Sequence, residues 1–379
     1  MNAFTIEIGT KIYFGTNIWA EALRKERTHI KGNVLLVTTG RSLVKYGYLD
    51  ELLNVLKELL DEKVFVFEKI SANPQLEEVK HAIKFGKEKS IQCVIGFGGG
   101  SSIDAAKAIA VGIAASDDIE NYLLNGKEPD EKTLPIIAIP TTAGTGSELS
   151  KGAIISSKIH QIKAGIRGKN ILPKVAIVDD VFTWTVPLRI TMETGFDVLA
   201  HAIESFVAVK ANCFSEMLSE KAIRIVGENL PLLYNNINNH DARKQMCFAS
   251  MIMGMNLANV GTCLPHRMQY AIGAYTDTSH GAGLLAIYPK WIRYEYQVNS
   301  EKINKVLYWL GGIQADTSEQ AEELMVSFFK KMDISYSLSD LNIHGDMIER
   351  LMEKVTGNLA NDKLASKHNI VKSIFTDTL

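Results

Sequence analysis

Short apolar runs alternate with amphipathic stretches through the first half of the chain. "NVLLVTTG" reads as a buried strand ending in a glycine turn, and "LVKYGYLDELLNVLKELLDE" (Leu43–Glu62) as an amphipathic helix. "KVFVFEKI" and "QLEEVKHAIKFGKEKS" repeat the strand–helix alternation. "IQCVIGFGGG" and "LPIIAIPTTAGTGS" are further strands, each running into a loop of small residues, and "VAIVDD" is a last strand. Continuously apolar strands alternating with helices specify a parallel sheet covered on both faces. After about Asp180 the strand signals fade, and apolar residues recur at helical spacing in segments rich in Leu, Met and Ala. The pattern predicts an α/β domain over residues 1–182 and an all-α domain over residues 183–379.

Length agrees with two domains, because 379 residues exceed a comfortable single core. Apolar residues make up 46% and charged residues 22%, ordinary proportions for a globular protein. The formal net charge of −2 excludes a global positive field aimed at nucleic acid or an anionic membrane. The opening "MNAFTIEIGTKIYFG" lacks the basic and apolar regions of a signal peptide, and no apolar run reaches the roughly 20 residues of a membrane span. Cys93, Cys213, Cys247 and Cys263 are scattered, which suggests reduced thiols in a cytoplasmic protein.

Candidate chemistry begins with "TGFDVLAHAIESFVA" (Thr194–Ala208), a helix with little polar surface that still carries Asp197 and His201. Residues i and i+4 share a helical face, so the carboxylate and the imidazole lie one turn apart among apolar neighbours. A buried carboxylate is costly unless paired or metal-bound. Taken alone the pair reads as a satisfied polar contact in the core. "LPHRMQYAIGAYTDTSHGAG" adds His266 and His280, and the four residues together offer one oxygen and three nitrogens, a set that iron or zinc accepts. His29, His81, His160, His240, His344 and His368 lie in polar contexts and read as surface residues.

Two loops complete the picture. In "VIGFGGGSSIDAAKAIAVGIAA", Gly98, Gly99 and Gly100 precede a helix start at Ser101–Ser102, an arrangement that lets backbone amides approach a pyrophosphate. Three consecutive glycines exceed what a tight turn requires. The usual G-x-G-x-x-G fingerprint is not met, and no G-K-[ST] follows, so neither an ordinary Rossmann turn nor a P-loop is indicated. The loop "PTTAGTGSELS" presents Thr141, Thr142, Thr145 and Ser147 directly after a strand, at the sheet edge where open α/β sheets bind ligands.

In order along nearly the whole chain, "YFG", "ANP", "GGGSSIDAAKAIA", "PTTAGTGSE", "ETGFDVLAHAIESF" and "PHRMQYAIGAYTDTSHGAG" resemble the iron-containing (group III) alcohol dehydrogenases. The resemblance implies a dehydroquinate-synthase-like fold, with an α/β nucleotide-binding domain and an all-α metal-binding domain. It implies that Asp197, His201, His266 and His280 hold the catalytic metal. It also implies that Asn73, Gly98, Gly99, Gly100, Ser101, Thr141 and Thr142 line the cofactor. Many members carry a further histidine four residues after the third ligand, placed to relay the substrate proton. Tyr270 stands there instead, which puts that relay in doubt.

The expected activity is metal-dependent hydride transfer between NAD(P)(H) and a small alcohol–aldehyde pair. One divalent metal is expected, Fe2+ first and Zn2+ as the alternative, in a homo-oligomer such as a dimer, with no nucleic acid or membrane partner. An enzyme selecting NAD commonly places a carboxylate near the relevant strand end. Here the turn reads Thr39, Gly40, Arg41, Ser42. Gly40 leaves room for a 2′-phosphate, Arg41 can pair with it and Ser42 can donate to it, so NADP(H) is expected to be favoured. Alternatives are a dehydroquinate-synthase-like lyase with catalytic NAD, for which only Arg267, Lys163 and Lys107 are candidate cations, a glycerol-dehydrogenase-like polyol oxidoreductase, and a non-catalytic nucleotide-binding protein.

Overall fold

The computed structural model describes residues 3–60 and 63–379. These form two compact units, Glu7–Val186 and Pro187–Leu379, the second including residues 3–6.

The first unit holds strands β1 (Lys11–Gly15), β2 (Asn33–Val37), β3 (Val64–Phe67), β4 (Ile91–Gly98), β5 (Ile136–Pro140), β6 (Gly152–Ser157), β7 (Ile162–Arg167) and β8 (Val175–Asp179). Its helices are α1 (Trp19–Lys25), α2 (Arg41–Lys45), α3 (Tyr48–Leu59), α4 (Leu76–Glu88), α5 (Gly100–Ala114) and α6 (Ile119–Leu124). Six strands form one parallel sheet in the order β1-β8-β5-β4-β2-β3, and β6 pairs with β7 as an antiparallel hairpin. Successive side chains of a strand point to opposite faces, so each strand feeds two cores. Val34, Leu36, Ile95 and Phe97 pack with Leu23 and Leu52 on one face. Leu35, Val37 and Val94 pack with Val79 and Ile109 on the other. From β2 the chain steps outward to β3, then returns to β4 and continues the opposite way to β5. The carboxyl ends of β2 and β4 therefore lie side by side where the connections diverge, the position at which open α/β sheets take ligands.

Several sequence expectations need correction. The helix expected over Leu43–Glu62 is two helices, because Gly47 adopts φ +79 and ends α2 before α3 begins; Asp61 and Glu62 lie outside the described residues. Strand β1 and the β6–β7 hairpin were not anticipated. β1 is a half-buried edge strand and β7 is largely half-buried, so neither shows a continuous apolar run. The two compact units divide between Val186 and Pro187. The 3₁₀ turn Asp180–Thr183 stays with the sheet: Phe182 meets Phe97 edge-on at 5.0 Å and Tyr48 at 5.3 Å, and Asp180 accepts from Thr16 and Trp184.

The second unit is helical: α7 (Leu188–Val207), α8 (Cys213–Asn235), α9 (His240–Asn259), α10 (Leu264–Thr276), α11 (His280–Gly311), α12 (Ser318–Lys330), α13 (Ile348–Lys354) and α14 (Ile370–Thr378). Every residue of α7 from Gly195 to Val207 is buried, as a helix apolar on all sides must be, and α8, α9 and α11 surround it. Among the described residues no single helix is long and apolar enough to cross a membrane.

Glu295 of α11 is fully buried, accepts from Asn299 where that helix breaks (φ −140, ψ 41), and lies beside Asp362. Burial, with Asp362 next to it, pushes its carboxyl up to about 9. The folded protein therefore keeps a proton that the unfolded chain releases above the ordinary carboxyl range. Stability should fall as pH rises through that window toward 9. Melting temperatures at pH 6 and pH 8.5 should show a smaller loss in Glu295→Gln than in the wild type; equal losses would place the slope elsewhere.

Candidate metal centre and cofactor loops

Three helices of the second unit bring the metal candidates together. α7 supplies Asp197 and His201, α10 supplies His266 near its start, and α11 opens on His280. The start of α11 is fixed by the Ser279 cap on Ala282 N and by Gly281, where a Cβ would sit 2.6 Å from the Glu193 carbonyl oxygen. Only glycine permits this approach to α7. The start of α10 is held by two buried carboxylates: Cys263 N donates to Glu204 at 2.7 Å and Leu264 N donates to Asp362 at 3.0 Å. Acid groups at a helix N-terminus satisfy its free N–H groups and suit its dipole.

Asp197 Oδ1 is the focus. His201 Nε2 lies 3.6 Å from it, and the Nε2 atoms of His266 and His280 each lie 3.4 Å away. Asp197, His201 and His266 are almost wholly buried, whereas a quarter of the His280 side chain is exposed. Neither Asp197 Oδ1 nor His266 Nε2 makes a hydrogen bond, although both are buried. A satisfied core contact, the bland expectation for this pair, would not leave them so. Ligand atoms about 2.1 Å from one ion at the tetrahedral angle lie about 3.4 Å apart, which the distances to Asp197 Oδ1 match. Asp197, His201 and His266 each offer a ligand atom within 4.8 Å of the others, and His280 joins this group through Asp197, an oxygen and nitrogen set that suits a divalent transition metal.

Burial opposes charge on Asp197, but the surrounding histidines overcome it and hold the carboxyl well below the usual range. Burial likewise works against a charged His266, yet Glu204 and Asp197 push its ring up to about 10. Two further side chains orient the rings. His266 Nδ1 lies 2.7 Å from Glu204 Oε1, and His280 Nδ1 is hydrogen-bonded to Gln269 Oε1. With a cation in place of the ring proton, those oxygens would accept from Nδ1–H and leave each Nε2 free to ligate. Sequence reading missed both partners, although Glu204 lies three residues after His201 and Gln269 three after His266, each one turn along the helix. Tyr270 stacks on His280 with centroids 6.0 Å apart.

The cofactor candidates gather at the carboxyl edge of the sheet. Thr141 N donates to Gly98 O at 2.9 Å, Thr142 lies beside Gly99, and Ser101 donates to the Ala72 carbonyl. Asn73 accepts from Lys163 at 2.8 Å. Gly98 has φ +150, and a Cβ on Gly100 would sit 2.5 Å from Thr145 Oγ1. Two of the three glycines are thus demanded by the fold itself, which weakens their number as an argument for phosphate. Gly40 (φ +81) ends the β2 turn, with Arg41 and Ser42 exposed after it. The turn has no acid of its own, but the structure brings one to it: a Cβ on Gly40 would lie 3.3 Å from Glu68 Oε2, beyond β3. Lys107 is wholly buried, with burial lowering its amine to about 8, and donates to Ser147, Ser150 and Gly152. It braces the second loop and is not a cation for a phosphorylated substrate.

The sequence matches two family descriptions, "Iron-containing alcohol dehydrogenase" over residues 9–180 and "Fe-containing alcohol dehydrogenase family, C-terminal" over residues 191–378. The chain is 28% identical to an NADH-dependent butanol dehydrogenase A of Clostridium acetobutylicum, covering 94% of each. It is also 28% identical to an NADPH-dependent butanol dehydrogenase of Clostridium saccharobutylicum, over 93% of this chain and 90% of that one. A solved alcohol dehydrogenase from an archaeal halo-thermophile of a Red Sea brine pool superposes with a TM-score of 0.93 at 27% identity, covering 100% of this chain and 99% of that one.

Removing Glu204 frees the His266 ring to turn and to change tautomer. Glu204→Ala should lower iron or zinc affinity by roughly 10–100-fold in a chelator competition. An affinity within about twofold of wild type would show that Glu204 only caps α10.

Proposed function

This chain belongs to the iron-containing alcohol dehydrogenase family, and on that premise we propose that Asp197, His201, His266 and His280 hold one divalent metal, iron first and zinc as the alternative. The protein is an NAD(P)-dependent oxidoreductase of an alcohol–aldehyde pair. The observation that supports the ligand set is the convergence of three imidazole Nε2 atoms on one unbonded carboxylate oxygen at 3.4–3.6 Å. When bound there, a divalent cation acts as a Lewis acid on the alcohol or carbonyl oxygen.

The residues themselves do the positioning. Asp197 supplies a fixed negative charge, and Glu204 and Gln269 lock two of the three rings. His280, the least buried of the four, marks the side from which a small molecule reaches the site. The Tyr270 ring packs against His280 and shapes that side; a phenol is a weak general base at neutral pH, so water with the cofactor ribose is the favoured proton route.

The unit Glu7–Val186 is assigned the cofactor, with Asn73, Gly98, Gly99, Gly100, Ser101, Thr141 and Thr142 lining it, and Pro187–Leu379 the metal. NADP(H) is favoured over NAD(H) in this reading, through the exposed Arg41 and Ser42; Glu68, which crowds Gly40, is the group that opposes it. Three buried cysteines and one exposed support a reduced, cytoplasmic setting, with a homo-oligomer as the assembly.

Aldehyde-dependent oxidation of NADPH and NADH tests both parts. Turnover should occur with short aldehydes, with a higher kcat/KM for NADPH. Arg41→Ala should cut the NADPH-to-NADH ratio by about tenfold, the worth of one charge-assisted contact. Aspartate at position 40 is a poorer probe, because its Cβ would lie 3.2 Å from that of Glu68 at a strained φ of +81. A wild type that prefers NADH, with the ratio unmoved in Arg41→Ala, would contradict the cofactor assignment. Absence of turnover with either cofactor would contradict the activity.

A further inference from the structure

Lys107, Arg243 and Arg267 are the buried lysine and arginine side chains among the described residues. Two of them show what a structural role looks like. Lys107 donates to four oxygens of the loop it braces. Arg243 donates to the Ile237 carbonyl and to Thr191. Arg267 differs. It is 7% exposed; among the described residues its one hydrogen bond is from Nη2 to Thr262 Oγ1 at 3.0 Å, and its buried Nε has no hydrogen-bond partner. No described carboxylate lies within ion-pair distance of it. A buried guanidinium has five N–H donors to satisfy, and leaving them unpaired is expensive.

The place of this side chain gives the shortfall a meaning. Arg267 follows His266 directly on α10. Its guanidinium carbon lies 5.6 Å from the centre of the Tyr270 ring, and that ring stacks in turn on His280. On another side lies Gly357, an exposed residue at φ +99. A Cβ there would already be 3.4–3.6 Å from Arg267 Cδ, Nη1 and Nε. The cation is thus set one aromatic ring away from the candidate metal centre, buried, with its Nε unsatisfied.

We infer that Arg267 is an anion subsite of the same centre, and that the substrates are short aldehydes and alcohols carrying a carboxylate at the end remote from the reacting carbon. The guanidinium fork takes a carboxylate through two parallel N–H···O bonds, which lysine cannot reproduce. The acid fills the missing partnership, and the aldehyde end is left toward His280. This rests on the oxidoreductase reading above and adds to it the class of molecule.

The experiment compares succinate semialdehyde with butanal, four-carbon aldehydes with and without the acid, in the metal-loaded enzyme. The wild type should favour the acid in kcat/KM by at least about tenfold. In Arg267→Met that preference should fall by roughly 100-fold, chiefly through KM for the acid. Arg267→Lys should recover only part of it. Butyrate should compete with the aldehyde in the wild type more strongly than butyramide does, which needs no variant to fold. Equal loss for both aldehydes in Arg267→Met, or a wild type that favours butanal and ignores butyrate, would overturn the subsite and reduce Arg267 to a brace for the Thr262 and Gly357 loops. Failure to turn over either aldehyde would count against the oxidoreductase reading instead.

Discussion

A single carboxylate buried in an apolar helix constrains everything around it. Asp197 sits in the middle of α7, where every neighbouring position is covered, and cannot be solvated by water. A charge in that position is tolerable only if positive groups converge on it. Three helices meet that requirement, each bringing one imidazole to the same oxygen. The packing of the second unit serves this convergence: Gly281 lets α11 come close enough to α7 for His280 to reach, and Glu204 ties α10 to α7 while orienting His266. The outer acids continue the pattern, with Asp362 holding the first turn of α10 and Trp291, and Glu295 kept protonated next to it.

The first unit solves a different problem with backbone rather than charge. A parallel sheet buried on both faces has free strand ends only at its edges, and the connections from β2, β4 and β5 place three loops side by side at the carboxyl edge. α5 governs two of them. It begins at the glycine loop, and farther along Asp104 and Lys107 grip Ser147, Ser150, Gly152 and Ile154 beyond the second loop. Both loops are therefore anchored to the same helix. At the β2 turn Glu68 lies against Gly40, and the exposed Arg41 follows in the chain with the opposite charge.

Much of this is legible in the residues because their signals are local. β2, β4, β5 and β8 are unbroken apolar runs, and Asp197 and His201 announce themselves by being one turn apart on a helix with no polar face. β1 and the β6–β7 hairpin are not legible: half-exposed strands mix polar and apolar residues, and their pairing depends on segments distant in sequence. Gly47 is visible but ambiguous, since glycine within a helical pattern can be tolerated until the backbone turns left-handed. Glu204 and Gln269 escaped notice for a related reason. A lone polar residue on a buried helix reveals its role only when the histidine from another helix is in place. The number of glycines alone does not separate a ligand loop from a tight turn, because the demands of φ at Gly98 and of Thr145 on Gly100 are properties of the folded loop.

One metal ion on Asp197, His201, His266 and His280 is the proposed heart of the site. Anomalous scattering from crystals of iron-loaded enzyme, collected on both sides of the iron edge, tests it directly. The account predicts one strong peak per chain, with Asp197 oxygen and the three histidine Nε2 atoms at about 2.0–2.2 Å. A peak coordinated by other residues, or none in crystals of protein that turns over aldehyde, would contradict it.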